Sequence, residues 1–244
     1  MTAGLLSLDS VSKSYWRGPH EVKVLVDVGL NVHAGELVAV WGKRGAGKTT
    51  LLKIATGLEV PDRGVVRFEG VDLAALSEAK RARLMRDQIG WVRRTGPRSE
   101  LQMIDYVALP LLAEHGRREA YALARDALGR VRVAECAEQR WDSLSDGERA
   151  LIGIARGIVR TPKLLLVDDP TTNLGVRERE EIIGLLRQLV EEANLGVLMT
   201  APDMPATMRS HQITALSGGR LLKAPGASGA DDNVVDFPGR KRSA

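Results

Sequence analysis

One stretch limits the fold more than any other. The segment Gly42-Lys43-Arg44-Gly45-Ala46-Gly47-Lys48-Thr49 fits the pattern G-x-x-x-x-G-K-[ST]. It follows a continuous apolar run, Leu37-Val38-Ala39-Val40-Trp41, of the kind that forms a strand buried on both faces, and residues 48–56 then read as helix. Glycines in such a turn let successive backbone N–H groups point inward around anionic oxygens, and the helix N-terminus adds partial positive charge. In this pattern Lys48 reaches the β- and γ-phosphates of a nucleotide and the Thr49 hydroxyl ligates Mg²⁺. The plainer alternative is a glycine-rich turn with a solvated lysine, and the agreement of strand, loop and helix argues against it.

The rest of the chain supports an α/β protein. Residues 5–15 and 22–32 are rich in β-formers broken by Gly, Pro and Asp and read as antiparallel strands. Residues 64–68, 164–167 and 196–200 read as further strands, and residues 212–222 as a hairpin turning at Gly218-Gly219. Helical spacing marks residues 104–112, 119–131, 149–160 and 177–193, and Ser77 is a candidate N-cap for a charged helix after it. Strands alternating with helices imply parallel βαβ units covered on both faces. The run of helices over residues 76–131 interrupts that alternation and is expected to form a side lobe. The segment 224–244 has little apolar content and is expected to be a disordered tail.

Composition excludes several other classes. The 244 residues suit one domain with at most a small lobe. Cys136 is the single cysteine, so no internal disulfide can form and a secreted disulfide scaffold is ruled out. No apolar run approaches the roughly 20 residues of a membrane helix, and the opening MTAGLLSLDSVSKSY does not read as a signal peptide. A net charge of +4 permits an acidic partner without demanding one.

Two further segments narrow the chemistry. Lys163-Leu164-Leu165-Leu166-Val167-Asp168-Asp169-Pro170 is an apolar strand ending in two carboxylates. Ligands bind at the C-terminal edge of open α/β sheets, so Asp168 is placed to help hold Mg²⁺ and Asp169 to position an attacking water. Leu144-Ser145-Asp146-Gly147-Glu148-Arg149 stands before the preceding helix and reads at the least as a capping box, Ser145 with Glu148. In the order phosphate loop, Leu144–Glu148 segment, acidic strand, the chain resembles the ATP-binding cassette (ABC) transporter ATPases, whose signature is LSGGQ.

The resemblance covers residues 5–222 and implies a P-loop fold. In that fold a mixed core sheet is flanked by helices, with an antiparallel β subdomain and a helical signature subdomain near residues 94–160, all within residues 1–223. It implies that ATP and Mg²⁺ are bound by residues 42–50, including Thr50, with Thr49 and Asp168 on the metal and the adenine stacked on Tyr15. It further implies that Ser145, Asp146, Gly147 and Glu148 act in trans on the ATP of a second ATPase subunit, in a homodimer or heterodimer. Glu69-Gly70-Val71-Asp72-Leu73, the stretch 76–84, Ile89-Gly90-Trp91-Val92 and Val107-Ala108-Leu109-Pro110-Leu111-Leu112 are similar to the lipoprotein-releasing, macrolide-exporting and cell-division members. That similarity implies an integral membrane permease as partner, no nucleic acid, and a place at the cytoplasmic face of the plasma membrane.

Four positions depart from the family pattern: Arg94 for the Q-loop glutamine, Asp169 for the catalytic glutamate, Gly175 for the D-loop aspartate and Ala201 for the switch histidine. Tyr15, the phosphate loop, Thr49 and Asp168 remain. The expectation is an ATP-binding subunit that drives export or mechanotransmission, with Lys48 and a weakened Asp169 as its catalytic groups. A non-hydrolysing partner subunit is the alternative, and a soluble non-transport ABC protein a more distant one.

Overall fold

The computed structural model describes residues 4–93, 95–97, 100–207 and 209–223. Arg94 and the tail 224–244 lie outside the described residues. In chain order the strands and main helices are β1 (Leu6–Arg17), β2 (His20–Val32), β3 (Leu37–Trp41), α1 (Lys48–Ala55), β4 (Arg63–Phe68), β5 (Val71–Asp72), α2 (Glu78–Gln88) and β6 (Ile89–Val92). There follow α3 (Met103–Ala108), α4 (Arg117–Arg130), α5 (Asp146–Ile158), β7 (Leu164–Val167), α6 (Val176–Ala193), β8 (Gly196–Ala201), β9 (Gln212–Ser217) and β10 (Arg220–Lys223).

The strands form two sheets. An antiparallel sheet has the order β2-β1-β4-β5, and a six-stranded sheet has the order β10-β9-β3-β8-β7-β6. In the second sheet β3 pairs in parallel with both β8 and β9, β7 with β8, and β6 with β7, while β10 closes the edge as an antiparallel hairpin. Register decides where the site sits. Trp41 pairs with Ala201, Val167 with Met199, and Val92 with Val167. The neighbouring strands therefore end together, and Gly42, Arg93, Asp168 and Pro202 all leave the sheet at one edge.

Side-chain alternation supplies two cores. Leu37, Ala39, Leu165, Val167, Val197 and Met199 face the cluster built by α3 to α6. Val38, Val40, Leu164, Leu166 and Leu198 face the opposite cluster, which contains α1 and the antiparallel sheet. A strand buried on both faces has no polar side to spare, which is why β3, β7 and β8 are continuously apolar.

The middle of the chain corrects the expected side lobe. The helix α2 buries none of its residues, meets the lobe of α3, α4 and α5 through the ion pairs of Arg86 with Glu114 and Asp87 with Arg160, and leads directly into β6, the edge strand of the main sheet. Its sequence, EAKRARLMRDQ, is too charged to fill a helix interface, whereas Ile89-Gly90-Trp91-Val92 can pair beside β7. Ser77 caps α2, accepting from the Lys80 N–H. Packing among α3, α4 and α5 uses small residues, with Ala120, Ala124 and Ala127 of α4 buried.

α5 also lies directly on β6. A Cβ at residue 90 would overlap the Gly157 carbonyl oxygen and come within 2.8 Å of Leu165 Cδ1, and one at residue 157 would come within 2.7 Å of the same methyl. Gly90→Ala is therefore expected to destabilise the fold by about 1–3 kcal/mol, the usual cost of overpacking. Chemical denaturation of the purified variant would measure this, and an unchanged midpoint would contradict the packing described.

Candidate functional site

The phosphate loop is fixed at both ends. The Gly42 N–H donates to the Ala201 carbonyl at 3.1 Å, tying the start of the loop to the end of β8. At the other end Gly45 and Gly47 have φ of 84° and 103°, backbone that L side chains rarely adopt. A Cβ on Gly47 would come within 2.8 Å of the Val24 carbonyl. α1 begins at Lys48 with no side chain capping its N-terminus and no acid in its first turn. Its free N–H groups thus remain available to an anion.

Lys48 is buried, and its Nζ donates to the Gly42 carbonyl at 2.7 Å and the Lys43 carbonyl at 3.4 Å. It also lies 3.5 Å from Asp169 Oδ2. Asp168 accepts from Thr49 Oγ1 at 3.1 Å through one carboxylate oxygen and from Thr200 Oγ1 at 3.1 Å through the other. The Thr200 hydroxyl in turn accepts from the Asp169 N–H at 3.0 Å. Asp169 adopts φ of 46°, so the chain turns sharply after Asp168 and directs the second carboxylate back toward Lys48. Lys48, Thr49, Asp168 and Asp169, separated by more than a hundred residues, thus meet at one sheet edge.

These groups line a cavity of about 1090 Å³ that extends from Tyr15 across Gly45, Gly47 and Lys48 to Trp91 and Arg93. At the first end the Tyr15 hydroxyl donates to Glu59 and lies 3.4 Å from Thr50 Oγ1. Burial, followed by the Glu59 contact, pushes the Tyr15 phenol above its ordinary pKa. Lys13 lies over that ring, 5.8 Å from its centroid.

Ser145, Asp146, Gly147 and Glu148 stand elsewhere, at the start of α5 and outside the lining of this cavity. The capping box is complete: Ser145 Oγ accepts from the Glu148 N–H at 3.2 Å, and Glu148 accepts from the Ser145 N–H at 2.7 Å. The Ser145 N–H, and then the Ser145 hydroxyl donating to the same carboxylate oxygen at 2.8 Å, hold the Glu148 carboxyl below its usual pKa. Glu148 also approaches Cys136, whose thiol is pushed up to about 11, first by burial and then by this carboxylate. A thiol so protonated is a poor nucleophile.

Residues 25–172 match the model of the family described as ABC transporter. The chain is 37% identical over 221 residues to the lipoprotein-releasing system ATP-binding protein LolD of Cereibacter sphaeroides, covering 89% of this chain and 99% of that one. This chain belongs to the ABC transporter family. It is also 34% identical over 223 residues to the methionine import ATP-binding protein MetN 1 of Rhodococcus jostii, with 90% of this chain and 66% of that one covered. Among solved structures it resembles the ATP-binding cassette MJ0796, described as dimeric in a post-hydrolysis state bound to ADP and Pi. There the TM-score is 0.83 at 27% identity, over 92% of this chain and 100% of that one.

Of the four positions expected to depart from the family pattern, Asp169, Gly175 and Ala201 are among the described residues and Arg94 is not. Ala201 is fully buried, and only its carbonyl serves the loop, as the acceptor of Gly42. His211 does not compensate: its Nδ1 accepts from the Leu37 N–H at 2.9 Å, at the start of β3 and so at the opposite end of the sheet. Gly175 caps α6 and donates its N–H to Glu178 at 2.9 Å. Arg17, Lys53, Trp91 and Arg93 also line the cavity, and Thr200 supports Asp168 behind it, although no sequence motif marks them as site residues. Trp91 lies on the strand that pairs with the acidic one and Arg93 directly follows it, a non-local placement for which the sequence carries no signal.

The capping box makes a pH-dependent contribution. A carboxyl with a depressed folded pKa stabilises above its ordinary value of 4.5 and loses that contribution as pH falls through the folded value. Glu148→Gln should therefore lower stability at neutral pH and converge with the unaltered protein on acidification below pH 4.5. Thermal melts across pH check this, and a difference independent of pH would refute it.

Proposed function

We propose that this chain is the ATP-binding subunit of an ABC transporter that binds MgATP strongly and hydrolyses it slowly. The carrying observation is the convergence of Lys48, Thr49 and Asp168 on a glycine-turned loop, beside a switch position reduced to the buried methyl of Ala201. The residues suit the ligand. Gly45 and Gly47 supply a cradle, the N-terminus of α1 is open, and Tyr15 offers a fixed ring for a base. Among the described residues no three His, Cys, Asp or Glu side chains cluster to cage a metal. A Mg²⁺ ion would therefore be held by Thr49 and Asp168 together with phosphate and water oxygens, its usual mode. When bound, Mg²⁺ supplies charge neutralisation at the phosphates.

The chain's own groups then divide the work. Lys48 exchanges its contacts with the Gly42 and Lys43 carbonyls for phosphate oxygens. Asp169 orients water, weakly, because its carboxylate is one methylene short of the family's glutamate. Loss of about 1 Å in placement costs about 100-fold in rate. Ala201 offers no hydrogen bond to a terminal phosphate. The capped turn Ser145–Glu148 faces a second ATPase subunit, and a membrane permease completes the complex at the cytoplasmic face of the membrane. Among the described residues no helix is long and apolar enough to cross it. The similarity to LolD of Cereibacter sphaeroides favours export or mechanotransmission over uptake. The reduced Ala201 and Gly175 positions favour, as a second reading, a subunit that binds ATP and regulates its partner without hydrolysis.

Two outcomes are expected. Lys48→Ala should weaken MgATP binding by about 1.5–3 kcal/mol, the value of a charge-assisted contact; unchanged affinity in isothermal titration would remove the site. Asp169→Glu should raise steady-state turnover up to about 100-fold, and adding Ala201→His should raise it non-additively, because both act on one reacting group. Asp169→Glu alone leaves the buried Ala201 site untouched and so separates chemistry from packing. Wild-type turnover already near 10 s⁻¹, about the enzyme median, or no gain in either variant, would overturn the slow-hydrolysis reading.

A further inference from the structure

The cavity has a second aromatic platform with no counterpart in the loop chemistry above. Arg93 lies with its guanidinium over the Trp91 ring, 4.4 Å from the centroid. The ring is held: Trp91 is half-buried against the cluster beneath the antiparallel sheet and is paired in register with Leu166 of β7. A guanidinium resting on a fixed ring is oriented before any ligand arrives, and it loses little freedom on binding one.

Its place relative to the acids follows from the backbone. The Asp168 N–H donates to the Val92 carbonyl at 3.0 Å, which continues the β6–β7 pairing one residue past its last register pair. Arg93 and Asp168 therefore leave adjacent strands side by side. With Tyr15 at one end of the cavity and the loop between, Arg93 stands at the end reached by the outermost phosphate of a nucleotide whose base lies on Tyr15.

Charge gives that position a preferred ligand. Lys48 is paired with Asp169, whereas among the described residues Arg93 has no carboxylate partner. Arg156, close by, has its pKa lowered mainly by burial and further by the positive charge of Arg93. An anion placed against Arg93 relieves that repulsion, and a planar guanidinium binds phosphate oxygens in pairs.

We propose that Arg93, seated on Trp91, binds the terminal phosphate and makes this site prefer a nucleoside triphosphate to a diphosphate. The proposal rests on the reading of the cavity as an MgATP site. It is tested by equilibrium titration of the full chain with MgATP and, separately, MgADP, in the unaltered protein and in Arg93→Gln, Arg93→Lys, Trp91→Leu and Lys48→Ala.

Arg93→Gln should weaken MgATP about 10-fold, equal to about 1.4 kcal/mol. It should leave MgADP within about 2-fold, the range of an uninvolved surface change. Arg93→Lys, which keeps the charge but not the flat fork, should fall between, and Trp91→Leu should reproduce Arg93→Gln. Arg93 is exposed, so folding of its variants is expected to be intact, as circular dichroism would verify. Equal weakening of both nucleotides by Arg93→Gln, or no weakening of either, overturns the assignment. If the unaltered protein binds both nucleotides and Lys48→Ala weakens both, such a result removes only the role of Arg93. If the unaltered protein binds neither, the reading of the cavity falls, and this proposal with it.

Discussion

A single backbone hydrogen bond, from Gly42 N–H to the Ala201 carbonyl, joins the phosphate loop to the sheet that supports it. It is the last rung of the β3–β8 pairing, and it works because the parallel strands end together. A slip of one residue would exchange the two faces of β3, sending Leu37 and Ala39 into the wrong core. The register that fills both cores is therefore also the register that places Gly42 beside Ala201 and Arg93 beside Asp168. Packing and site geometry are set by one constraint.

Two helix N-termini illustrate how electrostatics divides the labour. At α5 the first N–H groups are occupied from within, by Ser145 and Glu148, and the end is self-sufficient. At α1 no side chain plays that part, and the buried ammonium of Lys48 is satisfied by two loop carbonyls and Asp169. A buried charge is tolerated only when partnered. Partners that can be exchanged for others of the same sign suit a group that must also meet an incoming anion.

Much of this was legible in the chain itself, for physical reasons. Buried strands such as Leu164–Val167 announce themselves because both faces must be apolar, and the loop announces itself because its positive φ angles require glycine. The pairing of Ser145 with Glu148 is a local three-residue relation, so it too can be read directly. What could not be read was non-local. Residues 76–131 read as one helical lobe because helical spacing says nothing about whether a helix finds a neighbour; only the pairing of β6 with β7 shows that the chain returns to the sheet after α2. The same pairing hid Arg93, which counts as one more charged residue until Val92 is seen opposite Val167. His211 is the histidine nearest in sequence to Ala201, yet it stands just before β9, bonded to the Leu37 N–H at the end of the sheet away from the site.

The bare contact between Gly90 and Gly157 has a mechanical consequence. With only hydrogen on either side, the Gly157 carbonyl sits close against Gly90, and the Leu165 methyl packs against both glycines, so neither position has room for a Cβ. Turning α5 about its own axis would drive a carbonyl into the strand, so the sterically open movements are those that carry β6 along. The same helix begins at Ser145, and the strand ends one residue before Arg93. The capped end of α5 and the rim of the nucleotide cavity at Arg93 are thereby joined through one close-packed contact that leaves no slack between helix and strand.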